Sequence, residues 1–310
     1  MHNFLARKRV EVLCGGPGAE REVSLRSGAA VAKALRTLEA DVNLLDVPDT
    51  EIQLPDGVDV VFNALHGTFG EDGGVQAILD QWGVSYTGEG VTGSRLAFDK
   101  IASKQRFARY GVPTAPYVTL QHGEPHRFAL PAVVKVPCQG SSVGIYVVKA
   151  EMEVEAALTQ AFLQTGTVLV EAFIAGRELT VGILGNQPLP IIEIRPQGGF
   201  YSYENKYTWT NRGGAAEHEC PAALDRELTN RVQETALAAH RALGLEVYSR
   251  VDLILDETGQ PQVLEVNTIP GMTETSLLPE AAGVAGISMP KLCQRIVELS
   301  LEKRPESVQL

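Results

Sequence analysis

Apolar residues near the start of the chain alternate between strand-like runs and helix-like spacing. Residues 10–13 form a short apolar run that ends at Gly15-Gly16-Pro17-Gly18, and residues 23–38 carry apolar side chains at roughly helical spacing. Two further strand patterns and one helical pattern follow, at 42–47, 58–65 and 74–82. The alternation predicts a small α/β unit with a largely parallel sheet, ending near Gly88-Glu89-Gly90.

The remainder of the chain predicts two more lobes. Residues 94–110 show the spacing of one helix, and strands at 132–136, 144–148 and 168–170 surround a helix at 151–162. Later strands are predicted at 178–184, 191–195, 251–255 and 263–266, with helices at 224–243 and near 289–301. An irregular stretch at 201–220 has the length of a mobile lid or binding loop. The predicted domains are residues 1–90, 91–170 and 171–310.

Composition narrows the class of protein. The 310 residues are 44% hydrophobic and 21% charged, enough for two or three domains with their own cores. A net charge of -11 without a Lys/Arg-rich run argues against a nucleic-acid partner. No apolar run reaches the ~18 residues of a membrane span, and no signal-peptide pattern opens the chain, so we expect a cytoplasmic protein. The four cysteines are scattered without a C-x-x-C pair, which favours reduced thiols.

The most informative local pattern is a predicted hairpin near the C-terminus. Alternation places Arg250 and Asp252 on one face of its first strand, and Glu265 and Asn267 on one face of its second. Hard oxygen ligands of this kind suit Mg²⁺, which prefers one or two carboxylates plus nucleotide phosphates. The alternative is an exposed hairpin with a salt-bridged arginine and aspartate.

A loop of small residues follows Lys135 and ends at Gly144. The backbone N–H groups of this loop, which includes Ser141 and Ser142, are suited to binding phosphate oxygens. Lys135 adds a positive charge. The spacing differs from G-x-x-x-x-G-K-[ST], because the lysine precedes the glycine. A tight hairpin of small residues explains the same pattern.

Two turns at the predicted carboxyl edge of the first sheet carry charged groups. Glu20 precedes the first helix, where it would hold an ammonium group or favour the helix dipole. His66 would contact a substrate anion or play a structural role, and Glu71 and Asp72 fit the first turn of the next helix.

Taken in order, GGPGAEREVSLRSG, HGTFGEDGGVQ, YTGEGVTGSRLAFDK, VVKVPCQGSSVG, GRELTVGIL, ENKY, RVD and LEVNTIPGMTETS resemble the D-alanine-D-alanine ligase family of ATP-grasp enzymes. The resemblance extends from about Val10 to about Leu301. It implies an α/β protein with an ATP-grasp fold and an N-terminal Rossmann-like domain. ATP would lie between the second and third lobes, and the amino acids where all three lobes meet.

The resemblance also assigns roles to individual residues. The implied nucleotide-binding residues are Lys100, Lys135, Ser142, Glu171, Ala172, Phe173, Ile174, Glu178 and Lys206. The implied catalytic residues are Glu20, Ser141, Tyr207, Arg250 and Gly271, with His66 and Ser276 binding substrate. Asp252, Glu265 and Asn267 would hold two Mg²⁺ ions, with Mn²⁺ as an alternative.

The implied reaction has two steps and uses D-alanine and ATP as small-molecule substrates. The first D-alanine's carboxylate attacks the γ-phosphoryl group, and the second D-alanine's amine then displaces phosphate, giving a dipeptide for peptidoglycan precursors. The family also implies a homodimer. Two alternatives stay open: a ligase with D-serine or D-lactate as second substrate, and a non-catalytic nucleotide-binding relative.

Overall fold

A parallel sheet forms the N-terminal part of the protein, as the apolar pattern predicts. The computed structural model describes residues 4–140, 144–195 and 217–303. The sheet has the order β2-β1-β3, and its strands are β1 (Arg9–Gly15), β2 (Asp41–Val47) and β3 (Val60–Asn63). Helices α1 (Arg21–Arg36) and α2 (Gly74–Trp82) belong to this unit. The carboxyl ends of β1 and β3 therefore carry the turns that contain Glu20 and His66.

Two helices replace the single helix predicted at 94–110, so that prediction is wrong. The chain forms α3 (Val91–Phe98) and α4 (Lys100–Tyr110), separated by Asp99 in an extended conformation. The Asp99 carboxylate accepts hydrogen bonds from the backbone of Ile101 and Ala102, which caps α4. The break places Lys100 in the first turn of α4.

The central sheet is antiparallel and has the order β4-β7-β5-β6. Its strands are β4 (Tyr117–Gln121), β5 (Ala132–Lys135), β6 (Ile145–Val148) and β7 (Thr167–Ala172). Helix α5 (Glu151–Phe162) buries Val154 and Ala157 against this sheet. The strand β4 is absent from the sequence prediction, because its half-exposed residues lack a continuous apolar run.

The C-terminal sheet carries five of the residues implied for chemistry, namely Glu178, Arg250, Asp252, Glu265 and Asn267. It is antiparallel, with the order β11-β10-β8-β12-β13 and a short strand β9 beside β8. Its strands are β8 (Gly176–Leu184), β9 (Gln187–Pro188), β10 (Ile192–Arg195), β11 (Glu217–Glu219), β12 (Tyr248–Asp256) and β13 (Pro261–Asn267). The helices that follow β11 in the described ranges are α6 (Arg226–Ala242), α7 (Leu277–Val284) and α8 (Met289–Glu302).

Hydrophobic clusters cross the predicted domain boundaries. Val12 and Phe62 of the first sheet share a buried cluster with Tyr248 and with Ile296 of α8. Phe107 of α4 belongs to the core of the C-terminal sheet rather than to that of the central sheet. The boundaries after residues 90 and 170 therefore stay a prediction. Among residues 4–140, 144–195 and 217–303, no helix combines the length and apolar character needed to cross a bilayer.

Candidate active site

The predicted hairpin is confirmed, and its register brings the four polar residues together. Strands β12 and β13 pair so that Arg250 lies opposite Asn267 and Asp252 opposite Glu265. Nε and Nη2 of Arg250 donate to the two carboxylate oxygens of Asp252 at 2.9 and 2.7 Å. Both side chains are about nine-tenths buried, so the exposed-hairpin alternative does not describe this pair.

Each carboxylate of the hairpin has a further partner from another element. Thr180 of β8 donates its hydroxyl to Asp252 Oδ1 at 2.6 Å. Lys100 Nζ lies 3.0 Å from Glu265 Oε2 and donates to the Gln139 carbonyl at 2.7 Å. Burial opposes the charge on Lys100, but the Glu265 carboxylate outweighs it and raises the pKa of this lysine. Lys100 thus joins α4, the small-residue loop and β13.

A buried ion-pair cluster contains two of the nucleotide-binding residues implied by the resemblance, Lys135 and Glu171. Glu171 Oε2 is 2.8 Å from Lys135 Nζ, and Glu171 Oε1 is 3.1 Å from Lys104 Nζ. Burial opposes the charge on Glu171, but the two lysines outweigh it and lower the pKa of the carboxyl group. Lys104 is missing from the sequence prediction, because only the fold brings it to Glu171.

The remaining adenine and ribose residues extend from the last residue of β7 through the following connection into β8. The backbone N–H of Ala172 donates to Pro116, and that of Phe173 donates to Pro131. Ile174 is half-buried in the same connection, and Glu178 lies on β8 between its neighbours β10 and β12. Their roles toward a nucleotide stay a prediction.

Glu20 lies where the loops after β3 and β5 meet. It makes no side-chain hydrogen bond to the first turn of α1, so helix capping does not account for it. A Cβ atom at Gly67 or Gly140 would lie 2.9 or 2.7 Å from Glu20 Oε2. Glycine at both positions therefore permits the two loops to approach this buried carboxylate.

His66 is buried against Glu71 and Ser27. Its Nδ1 lies 3.6 Å from Glu71 Oε1, and its Nε2 lies 3.1 Å from the Ser27 hydroxyl, which also accepts the backbone N–H of Met272. Burial opposes protonation of His66, but Glu71 outweighs it, so the histidine pKa is raised. Burial raises the pKa of Glu71 to about 7.

The expectation that Glu71 and Asp72 lie in the first turn of the next helix is wrong. Helix α2 begins at Gly74, and its first turn has no acidic residue. Asp72 instead accepts the backbone N–H groups of Phe69 and Gly74, closing the turn, which directs Glu71 toward His66. This local Asx geometry competes with the helix start.

One cavity of about 90 Å³ joins these groups. Seven residues implied by the resemblance line it, namely Glu20, Lys100, Arg250, Glu265, Asn267, Gly271 and Ser276. Glu71 and His218, which the sequence analysis did not assign to the site, line it as well. His218 Nδ1 lies 3.2 Å from Glu280 Oε2 on α7. The lining residues thus come from the N-terminal turns, α3 and α4, the loop after β5, the C-terminal sheet and the start of α7.

Other residues implied by the resemblance lie away from this lining or outside the description. The side chains of His66 and Asp252 contact lining residues Glu71 and Arg250. The buried Lys135–Glu171 pair is separate from the lining. Ser141, Ser142, Lys206 and Tyr207 fall outside the described residues.

Comparisons with known proteins agree with this arrangement. Residues 46–89 match the family described as "D-ala D-ala ligase N-terminus", and residues 107–298 match "D-ala D-ala ligase C-terminus". The D-alanine--D-alanine ligase of Citrifermentans bemidjiense is 48% identical over 301 residues, covering 95% of this chain and 96% of the relative. That of Methylacidiphilum infernorum is 44% identical over 293 residues, covering 94% and 95%.

Solved structures confirm the fold. The D-alanine--D-alanine ligase of Bacillus anthracis complexed with ATP aligns with a TM-score of 0.84 and 32% identity, covering 95% of this chain and 98% of that one. The ligase of Coxiella burnetii, at 24% identity and a TM-score of 0.84, supports the fold alone. The fold is therefore the expected ATP-grasp fold. The C-terminal family match alone covers more than half of this chain. The chain therefore belongs to the D-alanine-D-alanine ligase family.

Proposed function

We propose that this protein is an ADP-forming ligase that joins two D-alanines through an acyl phosphate, supplying dipeptide for peptidoglycan precursors. The observation that carries the proposal is the composition of the cavity wall. It combines carboxylates suited to an ammonium group with the cations Lys100 and Arg250, which suit phosphate and carboxylate oxygens. Joining a carboxylate to an amine at the expense of ATP needs both kinds of group in one enclosed place.

The first D-alanine would bind at the N-terminal side of the cavity. Glu20 is buried between Gly67 and Gly140, where its carboxylate would hold the substrate ammonium group. His66 would lie beside the substrate carboxylate, and its proximity to Glu71 favours the protonated imidazole that such a contact needs. The substrate carboxylate would then point toward Lys100 and the nucleotide.

The nucleotide would bind between the central and C-terminal sheets. Lys100 and Lys135 would contact its phosphates, Ser142 and Lys206 would complete that contact, and the 171–174 segment with Glu178 would hold the base and ribose. ATP is supported by the ATP complex of the Bacillus anthracis relative. Attack of the D-alanine carboxylate on the γ-phosphorus forms a C–O–P linkage, and the bond to ADP breaks.

The donor set at the hairpin fits Mg²⁺. Asp252 and Glu265 are cross-strand neighbours, and Asn267 adds an amide oxygen on the same strand as Glu265. Among the described residues, no three His, Cys, Asp or Glu side chains cluster as a full protein cage. Two carboxylates and an amide instead suit an ion that shares its coordination with phosphates, and Mn²⁺ accepts the same donors. The ions would neutralise phosphate charge when bound.

Arg250 and the Gly271 backbone N–H would act in the second step. The second D-alanine's amine attacks the acyl carbon, phosphate leaves, and the amine loses a proton. Negative charge develops on the carbonyl oxygen, where two preorganised donors lower the barrier. Ser276, whose hydroxyl lies 3.0 Å from the Thr273 nitrogen, would hold the second carboxylate. Ser141 and Tyr207 would link to Glu20, and a closed lid would protect the acyl phosphate from water.

An amino-acid panel tests the proposal. Purified protein with ATP and Mg²⁺ is assayed for ADP and phosphate release with D- and L-alanine, D-serine and D-lactate, alone and paired with D-alanine. We expect release with D-alanine alone and none with L-alanine. Preferential use of D-serine or D-lactate beside D-alanine would favour the alternative second substrate. ATP binding without D-alanine-dependent release would favour a non-catalytic relative and contradict the proposal.

The proposal also includes a cytoplasmic location, a homodimeric state, and lobes bounded at residues 90 and 170. Sedimentation of the full chain tests the oligomeric state independently of activity.

A further inference from the structure

Lys104 is one of the most deeply buried charged residues in the described part of the chain. Its exposure is 1%, and it lies with Glu171 at 2% and Lys135 at 6%. Nζ of Lys104 lies 3.1 Å from Glu171 Oε1, 2.7 Å from Thr114 Oγ1 and 3.0 Å from the Ala115 carbonyl oxygen. The Lys104 ammonium group donates hydrogen bonds to the Thr114 hydroxyl and the Ala115 carbonyl oxygen, and it forms an ion pair with Glu171.

The cluster contains one carboxylate and two ammonium groups. If Glu171 faced Lys135 alone, the two charges would cancel, and the pair would attract an anion only weakly. With Lys104 on Oε1 and Lys135 on Oε2, the carboxylate is shared and the cluster keeps a net charge of +1. A net positive charge with little exposure to water acts strongly on a nearby phosphate, because water screens it little.

Lys104 is also connected to the strand that carries the proposed metal ligands. The Thr114 hydroxyl, which accepts from Lys104, donates to the Val263 carbonyl oxygen at 2.7 Å. Val263 lies on β13, two residues before Glu265. An ion pair joins Glu171 of the central sheet to Lys104, and two hydrogen bonds then lead from Lys104 through Thr114 to β13.

We propose that Lys104 is a positioning residue for nucleotide binding. It shares the charge of Glu171, so that Lys135 stays available to the phosphates. It also holds β13 in register with the phosphates. This inference rests on the proposed nucleotide site, although it does not require that D-alanine be the substrate. A purely structural lysine would affect folding alone, whereas a positioning lysine affects the affinity for ATP in protein that remains folded.

The test measures binding of Mg-ATP by calorimetry in the absence of D-alanine, using the full chain. Lys104→Met keeps the length of the side chain and removes its charge; Lys149→Met, at an exposed lysine on the same lobe, is the control. We expect Lys104→Met to weaken ATP binding about ten-fold or more, the size of the loss when the partner that orients a metal ligand is removed. The control should bind like the wild type. Wild-type affinity in folded Lys104→Met protein would overturn the inference.

A second pair of variants covers the case in which Lys104→Met does not fold. Thr114→Val keeps the shape of the side chain and removes the hydroxyl that joins Lys104 to Val263, whereas Thr114→Ser keeps that hydroxyl. We expect a higher KM for ATP in Thr114→Val, with the KM for D-alanine unchanged, and recovery in Thr114→Ser. Equal ATP parameters in the two variants would overturn the link. Failure of the proposed function is distinguishable, because wild-type protein would then bind Mg-ATP without D-alanine-dependent ADP release.

Discussion

The ion pair between Lys100 and Glu265 provides a prediction in which stability and activity separate. Glu265→Gln keeps the size of the side chain and removes its charge. In the wild type, Lys100 Nζ lies 3.0 Å from Glu265 Oε2, and the Lys100 side chain is only 7% exposed. The variant would leave this buried ammonium group with the Gln139 carbonyl as its remaining partner among the contacts described above.

The size of the stability loss follows from this burial. Breaking a buried ion pair by removing one partner costs about 3 to 5 kcal/mol. The Glu265 side chain is 23% exposed, so water partly compensates and the lower end, about 3 kcal/mol, applies. For a chain of this size, that loss lowers the melting temperature by roughly 5 °C or more. Turnover should fall about 100-fold or more, since a proposed metal ligand loses its charge.

Thermal denaturation of the nucleotide-free protein and steady-state ADP release measure the two effects. The double variant Lys100→Met, Glu265→Gln is the control, because it removes both charges and leaves no unpaired charge. Its melting temperature should return toward that of the wild type while turnover stays low. A wild-type melting temperature in Glu265→Gln would refute the predicted role of the ion pair in stability. Near-normal turnover would refute the proposed role of Glu265 as a metal ligand.

Three further predictions concern Glu89, Thr180 and Gly271. Burial raises the pKa of Glu89 to about 7, so the folded protein favours the protonated form. The protonated carboxyl group therefore stabilises the fold fully below about pH 4.5, and this stabilisation is lost as pH rises through 7. Between pH 5 and 8, the free energy of unfolding of Glu89→Gln should therefore rise relative to that of the wild type, by at most about 3 kcal/mol. A difference in urea unfolding that does not change with pH would contradict this prediction. Thr180→Val, which removes the 2.6 Å hydrogen bond to Asp252, should cost about 2 kcal/mol, and Thr180→Ser much less; equal losses would exclude the hydroxyl as the cause. Gly271→Ala would place a Cβ 2.8 Å from Ser276 Oγ, so the KM for D-alanine should rise about ten-fold with the KM for ATP unchanged; unaltered D-alanine kinetics would count against Ser276 as a substrate contact.

Sequence patterns predicted the parts of the fold that local rules control. Helices α2 and α5 begin and end at the predicted residues, and the β12–β13 hairpin brings Arg250, Asp252, Glu265 and Asn267 together as predicted. The break at Asp99 was missed because aspartate is acceptable within an amphipathic pattern, and its capping role depends on the backbone conformation. The short strands β4 and β11 were missed because their pairing depends on distant strands.

The site was predictable to the extent that its residues occur in motifs. Arg250, Glu265 and Asn267 lie together on neighbouring strands, so strand periodicity was enough to place them. Lys104, Thr180 and His218 contact their partners only in the folded chain, and each is unremarkable in its local sequence. The buried environment that raises the pKa of Glu71 likewise comes from packing between segments distant in sequence.

Transfer of oxygen from D-alanine to phosphate tests the central claim most directly. The protein is incubated with ATP, Mg²⁺ and D-alanine labelled with ¹⁸O in its carboxylate, and phosphate and dipeptide are analysed by mass spectrometry. An acyl-phosphate route predicts D-alanyl-D-alanine together with one ¹⁸O atom in each phosphate released, because the carboxylate oxygen that attacks phosphorus leaves with it. Dipeptide accompanied by unlabelled phosphate, or phosphate release without dipeptide, would contradict the account.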